Sequence, residues 1–103
     1  MSNTYQIYLI SDSTGETLDR MFMALKAQFE NFDYKVHQYS FTRTQNQILK
    51  IIELAKKQNE PIILYTIVDD SLAKYLEEEA NKFNIPCFSV LGDLISSFSK
   101  LLK

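Results

Sequence analysis

The chain has 103 residues, 46% of them hydrophobic and 23% charged, which is room for one globular domain with its own core. Its 11 basic and 13 acidic side chains leave a formal net charge of −2, and that balance excludes the basic footprint of a bulk nucleic-acid binder. No apolar run approaches the roughly 18 residues of a membrane span, Met1 to Tyr5 lacks a basic region followed by an apolar core, and the one cysteine, Cys87, has no intrachain partner. A cytoplasmic protein with neither nucleic acid nor membrane as partner is expected.

Tyr5 to Ile10 reads as a strand. It runs into Ser11-Asp12-Ser13-Thr14-Gly15-Glu16-Thr17, a hydroxyl-rich turn holding one of the two glycines in the chain. Beyond it Leu18, Met21, Phe22, Leu25 and Phe29 recur at helical spacing, predicting a helix from Thr17 to Phe29 with that stripe against a sheet. Tyr34 to Tyr39 alternates Val36 against Lys35 and His37, the pattern of a half-exposed strand near a sheet edge. Thr44 then caps a helix over Gln45 to Gln58, with Ile48, Ile51, Ile52 and Ala55 inward and Lys50, Glu53 and Lys57 toward water.

Pro61 opens the run Ile62 to Val68, which is rich in β-branched residues and lacks polar alternation, as a central strand covered on both faces would. Asp69, Asp70 or Ser71 caps the next helix, which continues through Phe83 with Leu72, Tyr75, Leu76, Ala80 and Phe83 inward and Glu77 to Glu79 outward. Pro86 begins a fourth strand, Cys87 to Leu91. Leu94, Ile95, Phe98, Leu101 and Leu102 form a last amphipathic stretch that meets no glycine or proline stop, and it reads as a helix cut short.

Strands alternating with helices call for right-handed crossovers. The expected fold is α/β, an open three-layer sandwich in which a four-stranded, mostly parallel sheet of order 2-1-3-4 carries helices on both faces. Residues 1–103 are expected to form a single α/β domain, since no linker, repeat or low-complexity segment divides them. This order puts the topological switch point beside the first strand, where a ligand crevice opens outside the carboxyl ends of the strands.

The polar clusters fall at those ends. In the first loop, backbone N–H groups at a helix entrance, the helix dipole and the hydroxyls of Ser11, Ser13, Thr14 and Thr17 would suit a phosphate. Gly15 would supply a positive φ or a close approach of backbone to ligand. The competing reading is a capped helix terminus, with Ser13 or Thr14 acting together with Glu16 or Thr17. Asp12 opposes simple phosphate cradling, because an uncompensated carboxylate repels an anion; it would fit as a Mg²⁺ ligand, as a catalytic base toward a hydroxyl, or as the partner of Arg43. Arg43, in Ser40-Phe41-Thr42-Arg43-Thr44 after the second strand, is a phosphate or carboxylate ligand or else an ion pair with Asp12, Asp69 or Asp70. The only histidine, His37, is mid-strand and read as structural, and Cys87 as a small buried hydrophobe; no metal site of the His/Cys kind is expected. Tyr65 and Tyr75 sit at core spacings.

Four blocks in order, Ile7 to Thr17, Ser40 to Thr44, Ile63 to Asp69, and Ile85-Pro86-Cys87 leading to Val90-Leu91-Gly92, resemble the amino-terminal part of the pyruvate, phosphate dikinase regulatory proteins, which include the phosphoenolpyruvate synthase regulators. The resemblance covers essentially the whole chain. It implies a bifunctional enzyme that phosphorylates a threonine of the target dikinase or synthase with ADP as donor and removes that phosphate by phosphorolysis with inorganic phosphate. It also implies a carboxyl-terminal part carrying a nucleotide-binding P-loop, and no GxxxxGK[ST] string occurs here. ADP and inorganic phosphate would then be substrates of the full-length protein, with no cofactor held tightly by this chain and no kinase activity of its own. Ser11 to Gly15, Thr17 and Arg43 would lie near the phosphate or the docked target. A flavodoxin-like FMN-binding domain, a non-catalytic docking domain and a homodimer through an exposed strand edge stay open as alternatives.

Overall fold

The computed structural model describes residues 4–102. Four strands alternate with four helices: β1 (Tyr5–Ser11), α1 (Glu16–Lys26), β2 (Tyr34–Tyr39), α2 (Gln45–Ala55), β3 (Pro61–Thr66), α3 (Asp70–Lys82), β4 (Cys87–Ser89) and α4 (Gly92–Leu101). The sheet has the order β2-β1-β3-β4 and every pairing is parallel, as the helix-length crossovers require. Ile7 lies opposite Val36 on one side and Ile62 on the other, while β4 pairs with β3 over just Ile63↔Cys87 to Tyr65↔Ser89.

Period-two alternation divides the core between the two faces. Tyr8, Ile10, Ile63 and Tyr65 pack with Ile48, Ile51, Ile52 and Ala55 of α2 and with Leu76 and Ala80 of α3. Ile7, Leu9 and Leu64 take the other face with Leu18 and Phe22 of α1. Coverage on both sides is why the third strand shows no polar alternation: Ile63 is 0% exposed and its neighbour Leu64, aimed the opposite way, 7%. His37 shares a 2.7 Å hydrogen bond with Gln6 Oε1 and stacks on Tyr8, which fits a structural role.

Several expectations from the sequence are corrected. The first helix stops at Lys26 and buries just Leu18 and Phe22; Met21, Leu25 and Phe29 are exposed. The cause is placement, because α1 packs on β1 and β3 and leaves Val36 of the β2 edge uncovered. The second helix ends at Ala55, three residues before Gln58, in a turn closed by Gln58 N–H donating to Ala55 O. The third strand ends at Thr66, since Val68 turns out to solvent. Phe83, expected inward, is exposed at the end of α3, with the Lys56 ammonium 4.8 Å from its ring centre. Glu77 and Glu78 are exposed as expected, while Glu79 is half-buried; Glu77 also accepts the hydroxyl hydrogen of Tyr65, because a phenol buried at the sheet needs an acceptor. The fourth strand is three residues long, although Val90 N–H still reaches Tyr65 O.

The largest departure is α4. Leu94, Ile95, Phe98, Leu101 and Leu102 all stand exposed, and no residue of the helix is buried, because none of the described elements covers its apolar stripe. The helix ends at Leu101, with Leu102 as its C-cap instead of a further helical residue; Lys103 lies outside the described residues, as does the reading of Met1 to Asn3. Among the described residues no helix is long and apolar enough to cross a membrane.

Candidate functional site

The carboxyl ends of β1, β2 and β3 bring three loops together through backbone bonds. Phe41 N–H donates to Ser13 O at 2.9 Å and Thr42 N–H to Ser11 O at 2.8 Å, while Asp12 N–H donates to Thr66 O at 3.2 Å. Ser40 Oγ adds a bond to Thr14 O at 2.8 Å. The carbonyls of Ser11, Ser13 and Thr14 and the N–H of Asp12 are thereby taken up within the fold, which pins the first loop.

Within it, Ser11 is buried and its hydroxyl accepts from Ser13 N–H at 3.1 Å, so this serine braces the turn. Ser13, Thr14 and Thr17 are exposed. Gly15 has φ +87° and is the N-cap of α1, with no side-chain capping bond. The capped-terminus reading is thus corrected: Thr14 Oγ1 lies 3.5 Å from Glu16 N, at the outer limit of a hydrogen bond, because the left-handed glycine turn carries the hydroxyl away from the helix entrance. A side chain at position 15 would also be strained at this φ. The first-turn N–H groups of α1 consequently keep an open end, where the helix dipole places partial positive charge.

Arg43 Nε donates to the backbone carbonyl of Asp12 at 3.0 Å, and the ring of Phe41 lies 5.2 Å from the guanidinium carbon. The suggested ion pairs with Asp12, Asp69 or Asp70 do not form, and the terminal nitrogens of Arg43 make no hydrogen bond among the described residues. The Asp12 carboxylate is turned to β3, where Oδ2 accepts from Val68 N–H at 2.9 Å. Thr44 caps α2 in a reciprocal box with Gln47, and the Gln47 amide oxygen also accepts from Arg43 N–H at 2.7 Å. Asp69, the cap of α3, accepts from Leu72 N–H and Ser71 Oγ, and these bonds hold its carboxyl below the usual range.

Two clefts flank Asp12. One, about 590 Å³, is lined by Asp12, Arg43, Gln45, Asp69, Ser71 and Leu72 on the side of α2 and α3. The other, about 150 Å³, includes Asp12, Ser13, Thr17, Val68, Gly92 and Ile95. A Cβ at Gly92 would lie 2.3 Å from Ser89 Oγ, the acceptor of the Gly92 N–H, so a side chain there would displace that hydroxyl. Asp12 thus stands between the two clefts, with Arg43 on the first and Ser13 and Thr17 on the second. Phe41, Gln47 and Val68 carry this geometry without having been singled out; only Gln47 had a readable signal, the Thr44-x-x-Gln47 capping-box spacing. Cys87 lies away from the site, its thiol pushed up to about 12 by burial and by the charge of Glu77. Among the described residues no three His, Cys, Asp or Glu side chains come together to hold a metal ion.

A model of one protein family, described as kinase/pyrophosphorylase, matches residues 7–103. The chain belongs to this family. It is 68% identical over its whole length to a protein of Pelagibacter ubique (strain HTCC1062), of which it covers 38%. Over 94% of the chain it is 40% identical to a protein of Geotalea uraniireducens (strain Rf4), and over 95% it is 41% identical to one of Agrobacterium fabrum; it covers 36% of each. All three relatives carry the name "Putative pyruvate, phosphate dikinase regulatory protein". The chain therefore spans little more than a third of the length of these family members. Among solved structures it is similar to a "Solution structure of a phosphate-loop protein", with TM-score 0.48 and 15% identity over 85% of this chain and 77% of that one.

Proposed function

We propose that this chain is the phosphate-handling part of a cytoplasmic, bifunctional serine/threonine kinase and phosphorylase that regulates pyruvate, phosphate dikinase or phosphoenolpyruvate synthase. One observation carries the reading: α1 starts at Gly15 without a side-chain cap, and Arg43 is tied to the same loop with its terminal nitrogens unengaged. Ser13, Thr14 and Thr17 add hydroxyls, so an oxyanion would meet backbone N–H groups, a helix dipole and a guanidinium together. Asp12 would act as base toward the target threonine or as a Mg²⁺ ligand, its orientation fixed by Val68 N–H.

ADP would donate the phosphoryl group in the forward direction. AMP would be the leaving group of that step; in a separate phosphorolysis, inorganic phosphate would attack the phosphothreonine, giving pyrophosphate and a free threonine hydroxyl. The nucleotide loop would be supplied by the remainder of the longer family polypeptide, and this chain would contribute the target's phosphate site. As a test, the purified chain is mixed with the dikinase or synthase in its threonine-phosphorylated and unphosphorylated forms. The proposal expects tighter binding to the phosphorylated form and competition by inorganic phosphate; equal binding to both forms, unaffected by phosphate, contradicts it.

A further inference from the structure

We propose that Phe41 is a positioning residue for Arg43, held in a strained backbone conformation so that its ring forms the platform beneath the guanidinium; the proposal rests on the phosphate reading of the site. Among the described residues, four other than glycine have positive φ: Asn31, Phe41, Glu60 and Asn84. Asparagine tolerates this region and Glu60 sits in the turn before Pro61, whereas a bulky aromatic at φ +54° is an uncommon and costly choice. Packing does not account for it, because Phe41 is 51% exposed. Glycine or asparagine would build the same turn with less strain.

The conformation is fixed from several sides. Phe41 N–H donates to Ser13 O, Phe41 O accepts from Gln47 Nε2 at 3.3 Å, and the next residue, Thr42, donates its N–H to Ser11 O. What the ring touches explains the residue type, for the Arg43 guanidinium carbon lies 5.2 Å from its centroid. Arg43 is a long side chain whose rotamer freedom opposes any fixed geometry. Here the Phe41 ring and the Asp12 carbonyl, 3.0 Å from Nε, hold it at two points, and the terminal nitrogens remain for a ligand. Ordering the arginine before binding lowers the cost of capturing an oxyanion.

The test compares wild type with Phe41→Gly and Phe41→Trp, reading urea stability, affinity for inorganic phosphate, and the order of the Arg43 Nε–H by NMR relaxation in the phosphate-free protein. Phe41→Gly relieves the strain and removes the platform, so it should be no less stable than wild type, yet bind phosphate roughly two- to fivefold more weakly and show a more mobile Nε–H. Phe41→Trp should restore both affinity and order. An Nε–H as ordered in Phe41→Gly as in wild type overturns the proposal whatever phosphate does, and so does unchanged phosphate affinity in Phe41→Gly when Arg43→Ala loses it. If Arg43→Ala itself binds phosphate normally, the phosphate reading has failed, and the Nε–H measurement still decides whether Phe41 orders the arginine.

Discussion

The backbone N–H of Val68 donates to Asp12 Oδ2 at 2.9 Å, so the Asp12 carboxylate is anchored just beyond the end of β3 while Arg43 takes the Asp12 carbonyl. Charge and anchoring are therefore separable at this position. Asp12→Asn keeps an acceptor for Val68 N–H and removes the negative charge beside the proposed oxyanion. It should leave stability within about 0.5 kcal/mol of wild type and tighten phosphate binding. Weaker binding in Asp12→Asn, measured by phosphate titration, would show that the carboxylate serves the anion directly or through a cation.

Ile63 tests the core on the α2 and α3 face. It is 0% exposed and packs between both helices and the sheet, so Ile63→Ala should cost about 2–5 kcal/mol in urea unfolding, from lost transfer energy and the cavity left behind. Leu64→Ala on the opposite face should fall in the lower part of that range, and a loss below about 1 kcal/mol at either site would contradict the two-sided burial of β3.

Asp69 links helix capping to pH. The Leu72 N–H, then Ser71 Oγ, favour its ionised form and lower its pKa from the ordinary 3.8. Its contribution is therefore present above that value and is lost as the pH falls through the lower pKa of the folded state. The melting temperature of Asp69→Ala should lie below that of wild type at neutral pH, with the gap narrowing below pH 4, where roughly half or more of unfolded-state aspartates are protonated. A gap that does not change with pH would contradict the role of the charged cap.

Cys87 and Tyr65 act at the other end of the scale. Burial raises both, Cys87 from 9.0 to about 12, and Glu77 adds to each effect. Neutral forms are thus favoured in the folded state, and stability present below the unfolded pKa values declines as pH rises from 9.0 toward 12. Thiol labelling at pH 8 should be much faster in urea than in buffer. Equal rates would show that the sheet does not shield the thiol.

How much of this was readable in advance differs by element, for physical reasons. The sheet order was legible because strand and helix patterns alternate and the handedness of crossovers leaves few topologies. The span of β3 was overread by two residues, since Ile67 and Val68 look like strand residues but belong to the turn fixed by Asp12. Amphipathic periodicity correctly marked α1 and α4 as helices, yet it cannot say how wide a stripe the sheet will cover. Leu18 and Phe22 are buried, Met21 is not, and the whole stripe of α4 is bare. At the site, Gly15 and Arg43 were visible as residue types in the right loops. The platform role of Phe41 was invisible because a positive φ at phenylalanine has no sequence signature, and the Val68 N–H to Asp12 contact joins residues far apart in the chain.

The central claim is that the loop from Ser11 to Gly15 and Arg43 form one oxyanion site, and a phosphate titration of ¹⁵N-labelled protein, run on wild type beside Arg43→Ala, tests it most directly. The account predicts saturable amide shifts centred on Ser13 to Thr17 that shrink in Arg43→Ala, with the fold of the variant intact. Shifts that are absent, that cluster elsewhere, or that are the same size in both proteins would contradict it.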